Sequence, residues 1–286
     1  MGNSEDFAKR VEVAFQLLAR KRANSFPRPS ELSDQLVKIY KESGNQDVVL
    51  LKPDTAAMFT TASIEIWMRA VHSFLISAAL THTSPIWASV AGYYSSHYSV
   101  RAYAHLLGRF QLFRIKRVAS LEFDNLGKFS CTFQKKDGGS REHELYWKVV
   151  KAEGAFASSP LFTRNTRGAD ASDCGHREKA NYHDHLSRFP EFDPLTERKL
   201  RDRLDRLSQI KLQTPQVPRI SRFPDLDNVQ LIAYHRLVHF RSAVDEVVGG
   251  KNRFWMANRN PQWATKWIDF QLPDRVGLAS ELGQYA

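Results

Sequence analysis

The spacing of apolar residues changes near residue 110. Before that point apolar side chains recur every three or four residues, which is the period of an amphipathic helix. The segments FQLFRIKRVASLEFD (110–124) and KFSCTFQKK (128–136) alternate instead in steps of two, as strands do. The sequence therefore predicts a mainly α-helical protein with a small inserted antiparallel β-sheet, which makes it α+β as a whole.

Seven stretches have the helical pattern. We expect helices over residues 5–20, 30–43, 60–81, 86–108, 172–188, 195–212 and 228–250. The connection at Ser84-Pro85 is short, so the third and fourth of these helices should pack as an antiparallel hairpin. Gly108 is a C-cap signal for the fourth. VVLLKPD (48–54) reads as a short strand or an extended turn.

The β-region has a clear turn signal. Asp137-Gly138-Gly139 favours a hairpin, so three antiparallel strands are expected between 110 and 152. This pattern divides the chain into three parts. They are an N-terminal helical segment (1–59), a helical domain with the β insert at about 110–152 (60–250), and a Trp-rich tail expected to pack on the body (251–286).

Charge and composition narrow the classes of partner. The chain has 286 residues and a net charge of +10, which favours a polyanion such as nucleic acid. The longest apolar run, 64–80, contains Glu65, Arg69 and His72, so no membrane partner is expected. Two cysteines suit a reducing compartment, and MGNSEDFAKRVEV has no apolar signal core, so the expected location is cytoplasmic.

No cofactor is expected. The sequence contains neither a phosphate-binding loop, nor a Rossmann glycine fingerprint, nor a Gly-x-Ser-x-Gly elbow. One segment does concentrate reactive side chains, CGHREKANYHDH (174–185). Two chemistries could use it. One is zinc binding, although the spacing matches no structural zinc pattern. The acceptable zinc ligands would be Cys174, His176, His183 and His185.

The other chemistry is metal-free cleavage of RNA. It needs a group that takes the 2′-hydroxyl proton or protonates the leaving oxygen, and histidine does this near neutral pH. It also needs a fixed cation beside the phosphate, for which arginine is suited. His183 and Arg177 would fill these two roles. Their helical spacing does not put them on one face, but a dimer axis could bring two such pairs into one cleft.

A resemblance supports the second chemistry. The segment AGYYSSHYSVRAYAHLLG (91–108), preceded by the helix WMRAVHSFLISAAL, resembles the HEPN domain family. Those domains are helical bundles whose hallmark is Arg, then four to six residues, then His. REKANYH (177–183) fits that hallmark. The likeness covers residues 60–110 and 170–250, about half of the chain.

The resemblance implies a metal-independent endoribonuclease that works as a homodimer, with both Arg–His pairs at one interface. Many family members belong to toxin–antitoxin or antiphage systems, which implies a role in stress or phage defence and an operon-encoded regulatory partner. Arg177 and His183 would be catalytic. Asn181 and Tyr182 would orient the RNA, and Tyr98 and Arg101 would support the site from behind.

One residue departs from the family pattern. Glu178 follows the motif arginine, where the family usually has a small polar residue, and an acid there opposes phosphate binding. A non-catalytic RNA-binding or protein-scaffold module is therefore the alternative function.

Two further roles are expected in the helices. Tyr98, Arg101 and His105 share one stripe, predicted to be a polar seam against the helix that carries the motif; the alternative is a set of half-buried residues that only hold helices together. A basic surface would bind nucleic acid, unless its acidic neighbours make it an ordinary solvated face. Its residues would be Arg198, Arg201, Arg236, His239 and Arg241.

Overall fold

A computed structural model describes most of the first half of the chain and one later helix. The described residues are 29–81, 84–123, 128–135, 142–152 and nine positions between 229 and 240. They fall into two compact units. The first contains the described residues up to 67 and those from 100 to 152; the second contains 68–99 and the later helix.

The first unit is built on a four-stranded antiparallel sheet. Helix α1 (Pro29–Glu42) leads through a short turn into strand β1 (Val48–Leu51), and helix α2 (Pro53–Leu80) follows at once. After helix α3 (Pro85–Leu106) come β2 (Arg109–Leu112), a 3-10 turn (Phe113–Ile115), β3 (Arg117–Phe123) and β4 (Phe129–Lys135). The strand order is β1-β4-β3-β2, so β1 and β2 lie at the edges.

One face of this sheet and helix α1 enclose a shared core. Alternate strand residues point into it, because successive side chains of a strand point to opposite faces. The core joins α1 and the start of α2 to all four strands, and its large members include Leu36, Phe59, Phe110, Leu121 and Phe133. Residues 29–59, the described part of the predicted N-terminal segment, share one core with the strands of the predicted insert.

The β-region differs from the expectation in two ways. The stretch 110–124 forms two strands, because the 3-10 turn and the left-handed backbone of Lys116 (φ 50°) reverse the chain there. The predicted third strand is helix α4 (Glu142–Ala152) instead. Among its described side chains Tyr146, Trp147 and Val150 are buried, and their spacing is that of one helical face.

The end of α3 follows the predicted signal. Gly108 has a φ of +78°, which an L side chain rarely adopts, and its N–H donates to the carbonyl of His105 (2.9 Å). A Cβ at this position would also meet Leu121 Cβ at 2.9 Å. Glycine is therefore required both by the backbone conformation and by the close approach of β3.

Helices α2 and α3 are held together by serine hydroxyls, as the predicted antiparallel hairpin requires. In the second unit Ser95 donates to the Ala70 carbonyl (2.8 Å) and Ser77 donates to the Ala88 carbonyl (2.6 Å). In the first unit Ser63 donates to the Ala102 carbonyl (2.7 Å). Positions on α2 rise by seven while their partners on α3 fall by seven, so the two helices are antiparallel and small residues let them approach closely.

The second unit adds a third helix. Helix α5, which includes the described residues between 229 and 240, packs on α2 and α3. The buried Gln230 amide donates to Ser77 Oγ and to Thr81 Oγ1, both at 2.9 Å. Phe74 and Tyr234 are in ring contact, with centroids 5.8 Å apart. The helices expected over 5–20, 172–188 and 195–212, and the tail 251–286, lie outside the described residues.

Candidate functional site

The predicted catalytic pair lies outside the described residues. This holds for Arg177 and His183 as well as for the residues expected to orient RNA, Asn181 and Tyr182, and for the zinc-ligand alternative at 174–185. The predicted basic positions Arg198, Arg201 and Arg241 lie outside them too. The structure does place Tyr98, Arg101, Arg236 and His239.

Helix α3 carries an aromatic cluster in the second unit. Tyr93 and His97 are buried and stack with their rings nearly parallel, at 7° and 6.3 Å between centroids. Tyr94 and Tyr98 are half-buried, one turn apart, with centroids 5.9 Å apart. The rings of the buried pair also contact those of the half-buried pair (Tyr93–Tyr94, 5.3 Å; His97–Tyr98, 5.7 Å). Two tyrosine rings on one helix face are thereby held partly open to solvent.

Trp87 extends this face toward the start of α3. Its side chain is 61% exposed, unusually high for a tryptophan. Residues 87, 91, 94 and 98 follow one another in steps of four, three and four, which keeps them on one helix face. We call Trp87, Tyr94 and Tyr98 the α3 aromatic stripe. Trp87 was not among the predicted site residues, although the same 4-3-4 spacing could have revealed it.

An exposed aromatic stripe can bind the flat face of a nucleobase. Stacking on an aromatic side chain is tolerant of sequence, since every base has a π-face. Tyrosine and tryptophan also keep a polar atom for hydrogen bonding at the wet edge. In chemical terms the stripe offers aromatic faces and polar edges for binding.

Arg101 is engaged within the first unit. Its Nε–H donates to Nε2 of His105 (3.3 Å), and its guanidinium lies 5.4 Å from the ring centroid of Tyr146. Arg101 and His105, which share one stripe of the predicted polar seam, are thus joined directly by a hydrogen bond. The side chain packs against α4, an element that was expected to be a strand.

His105 is fully buried and held as the neutral imidazole. Its Nδ1–H donates to the carbonyl of Arg109 (2.9 Å), since a carbonyl can only accept, and Nε2 then accepts from Arg101. Burial, and secondly the charge of Arg101, lower the pKa of His105 to about 3. A group with this pKa does not titrate near neutral pH, so His105 supports the fold and is no acid–base catalyst.

Two residues of the predicted basic surface lie on α5. Arg236 is fully buried, so its guanidinium does not face solvent, where a polyanion would approach. His239 is half-buried, and burial lowers its pKa. His72, on α2, has its pKa lowered by burial as well. Both imidazoles are therefore biased toward the neutral form, and this part of α5 adds little positive charge to any surface.

Two kinds of feature are absent from the described residues: a membrane-spanning helix and a metal-binding cluster. None of their helices is long and apolar enough to span a bilayer. Across the same part of the chain, histidine, cysteine and acidic side chains nowhere gather in a group of three or more that could hold a metal ion.

The chain matches no protein-family model, no curated protein and no solved structure.

Proposed function

We propose that this protein acts on RNA as a metal-independent endoribonuclease of the HEPN type, in the cytoplasm and in stress or phage defence. The observation that carries the proposal is the segment 93–105, which lies in a helix packed on a serine-bonded partner helix and keeps Tyr94 and Tyr98 half-exposed. The spacing of Arg177 and His183 and the net charge of +10 support it from the sequence.

In the proposed reaction a ribose 2′-hydroxyl attacks the adjacent phosphorus, and the bond from phosphorus to the 5′-oxygen breaks. His183 removes the hydroxyl proton, while a second His183 in a homodimer protonates the leaving oxygen. Arg177 stabilises the charge that develops on the phosphate oxygens. The products are a 2′,3′-cyclic phosphate and a 5′-hydroxyl, and no oxidant, reductant or ion is needed.

The surrounding residues would position the RNA. Asn181 and Tyr182 are proposed to orient the nucleotide beside the catalytic pair. Tyr98 would stack on a neighbouring base as part of the α3 aromatic stripe. Arg101, bonded to His105 and packed on Tyr146, would act only by fixing the end of α3.

The test is cleavage of RNA in the presence of EDTA. Purified protein is incubated with total RNA, beside a His183→Ala variant and a matched His185→Ala control from the same segment. We expect the His183→Ala change to lower the cleavage rate by about 10²–10⁴-fold, since it removes general acid–base catalysis, and His185→Ala to change it little. Equal activity in all three proteins would refute the proposed role of His183.

A second function is favoured by one specific observation, the exposure of Trp87 on the α3 aromatic stripe. Such a surface suits a non-catalytic RNA-binding or scaffold module, and the acid at position 178 points the same way. RNA retention without cleavage would support this alternative. Replacing Trp87 with alanine should then weaken binding by roughly 1–3 kcal/mol, while a Phe113→Ala control, which removes another exposed ring elsewhere, should not.

A further inference from the structure

Arg69 of helix α2 lies level with the two tyrosines of the α3 aromatic stripe. The Ser95 hydroxyl of α3 donates to the carbonyl of Ala70 on α2, which puts these two positions at the same height in the antiparallel hairpin. Arg69, one residue before Ala70, is therefore level with the stretch between Tyr94 and Tyr98.

Arg69 and the stripe also lie on the same side of the hairpin. Arg69 precedes Ala70 by one position, as Tyr94 precedes Ser95, so each is rotated about 100° from the direction of the other helix. Equal rotations in two antiparallel helices point to the same side of the pair. The burial agrees, since Arg69 is exposed and Tyr94 is half-buried. The described part of α5 packs on the other side, at Gly92.

No carboxylate accompanies Arg69 and the stripe in the described part of the second unit. The 56 residues from 66 to 121 include neither aspartate nor glutamate, and the described positions of α5 include none either. Glu65, one turn before Arg69 on α2, precedes this stretch directly. An ion pair at that helical spacing would contribute only about 0.3–0.5 kcal/mol, which a phosphate can displace. This side of the hairpin therefore suits an anion that carries flat rings.

We propose that Arg69 and the α3 aromatic stripe bind single-stranded nucleic acid, with bases stacked on the rings and a phosphate held by Arg69. This inference deepens the proposed function and rests on nucleic acid being the ligand. A guanidinium is suited to phosphate because it donates two parallel hydrogen bonds. The bases must be unpaired, because a duplex keeps their faces stacked inside the helix.

Two other classes of partner fit this side less well. Helices that lie on a membrane surface are rich in lysine and arginine, whereas Arg69 is the one such residue between 68 and 99. Tryptophan, tyrosine and arginine also anchor protein interfaces. The net charge of +10 and the acid-free stretch favour a polyanion over a protein of ordinary charge.

The proposed contacts do not depend on the sugar. Stacking uses the π-face of a base and the arginine contact uses a phosphate oxygen, and RNA and DNA share both. Single-stranded DNA should therefore bind this side as tightly as RNA does. DNA lacks the 2′-hydroxyl that the proposed cleavage needs, so it binds without being cut and isolates the binding step from the chemistry.

The first experiment measures binding of the full chain to three labelled ligands by fluorescence anisotropy. They are oligouridine RNA, oligothymidine DNA and a DNA duplex of the same length. We expect the two single strands to have Kd values within about threefold of each other and the duplex to bind at least tenfold more weakly. A duplex that binds equally well would overturn the proposal. Vesicles containing phosphatidylserine are tested beside them, and binding to vesicles but to neither single strand would also overturn it.

Arg69→Gln tests the phosphate contact. Its matched control is Arg114→Gln, which removes the same charge from another exposed arginine. We expect Arg69→Gln to weaken both single strands at least fivefold and to reduce the salt slope by about 0.7, the value for one phosphate on a single strand. Equal effects of the two variants would mean that only total charge matters, and Arg69 would lose its proposed role.

Tyr98→Leu and Tyr98→Phe test the stacking. Leucine keeps an apolar side chain but removes the ring, whereas phenylalanine keeps the ring. We expect Tyr98→Leu to weaken both single strands at least fivefold and Tyr98→Phe to change them little. Urea unfolding checks that both variants are folded. Equal affinities of the two variants would contradict stacking on this ring.

Crosslinking locates the contact directly. Oligothymidine with one 5-bromodeoxyuridine is irradiated with the full chain, which is then digested with trypsin. Arg69 and Arg101 bound a single tryptic peptide, 70–101, that contains the whole stripe. We expect the crosslinks in this peptide, and crosslinks confined to other peptides would refute the site.

Failure of this site and failure of the proposed function give different results. RNA cleavage in EDTA is measured on the same variants and on His183→Ala. If DNA binds through Arg69 and Tyr98 but RNA is not cut, the binding site stands and the nuclease proposal fails. If RNA is cut with no dependence on Arg69 or Tyr98, the reverse holds.

Discussion

The interior of the first unit determines the protonation state of His105. Four groups contact its ring: the Arg101 guanidinium, the Arg109 carbonyl, and the rings of Phe110 and Tyr146, whose centroids are 4.6 and 5.5 Å away. The two polar partners fix both ring nitrogens, so the neutral tautomer satisfies every hydrogen bond. Protonation of His105 would place a second positive charge beside the Arg101 guanidinium in a buried position.

This environment predicts a pH dependence of stability. The pKa of His105 is lowered from 6.5 to about 3, so its neutral form stabilises the fold fully above pH 6.5. Below that value the unfolded chain binds the extra proton, and stability falls as the pH drops toward 3. The slope should approach 1.4 kcal/mol per pH unit.

The measurement is urea unfolding at pH 7, 6 and 5. The matched variant is His105→Gln, which keeps a donor and an acceptor but cannot titrate. We expect the wild-type chain to lose more stability between pH 7 and pH 5 than the variant does. Parallel losses in the two proteins would mean that His105 does not couple to pH.

The packing of α3 in the second unit depends on the absence of a side chain at position 92. A Cβ on Gly92 would lie 2.7 Å from Val229 Cγ1 of α5 and 3.1 Å from Ser77 Oγ of α2. Val229 is buried and β-branched, so its methyl group has little freedom to move. The close approach of the three helices therefore requires glycine at this point.

Gly92→Ala should destabilise the chain by about 1–3 kcal/mol through overpacking, partly offset by about 1 kcal/mol of helix propensity. In a Val229→Ala background the same change should be neutral or stabilising, because the clashing methyl is gone. Thermal or urea unfolding of the four proteins completes a double-mutant cycle. An equal effect of Gly92→Ala in both backgrounds would contradict the close contact.

Among the described elements, helix α3 lies close to where the sequence predicted it. Helix α3 begins at Pro85 and ends before Gly108 because both residues act through local backbone geometry. Residues 142–152 were assigned wrongly, since Tyr146 and Val150 fit a period of two nearly as well as a period of four. The packing of Tyr146 against His105 (5.5 Å between ring centroids) and Arg101 favours the helix over the strand.

The whole chain carries a net positive charge, so any RNA binding should depend on salt concentration. A net charge of +10 releases counterions from a bound polyanion, so affinity should fall steeply with salt. We expect RNA retention to weaken at least about tenfold between 50 and 200 mM salt, which corresponds to roughly three neutralised phosphates on a single strand. Filter binding over this range measures the slope. An affinity that does not change with salt concentration would argue against a nucleic-acid partner.

Local and periodic features of the chain were readable from the sequence: the mainly helical class with a small antiparallel sheet, the α2–α3 hairpin and the cap at Gly108. These depend on neighbouring residues and on backbone preferences, which act over a few positions. The tertiary structure decided what depends on partners distant in sequence. It added β1 to the sheet beside β4, made 142–152 a helix, and buried Arg236 while exposing Trp87. Burial is set by which elements pack together, and no local pattern contains that information.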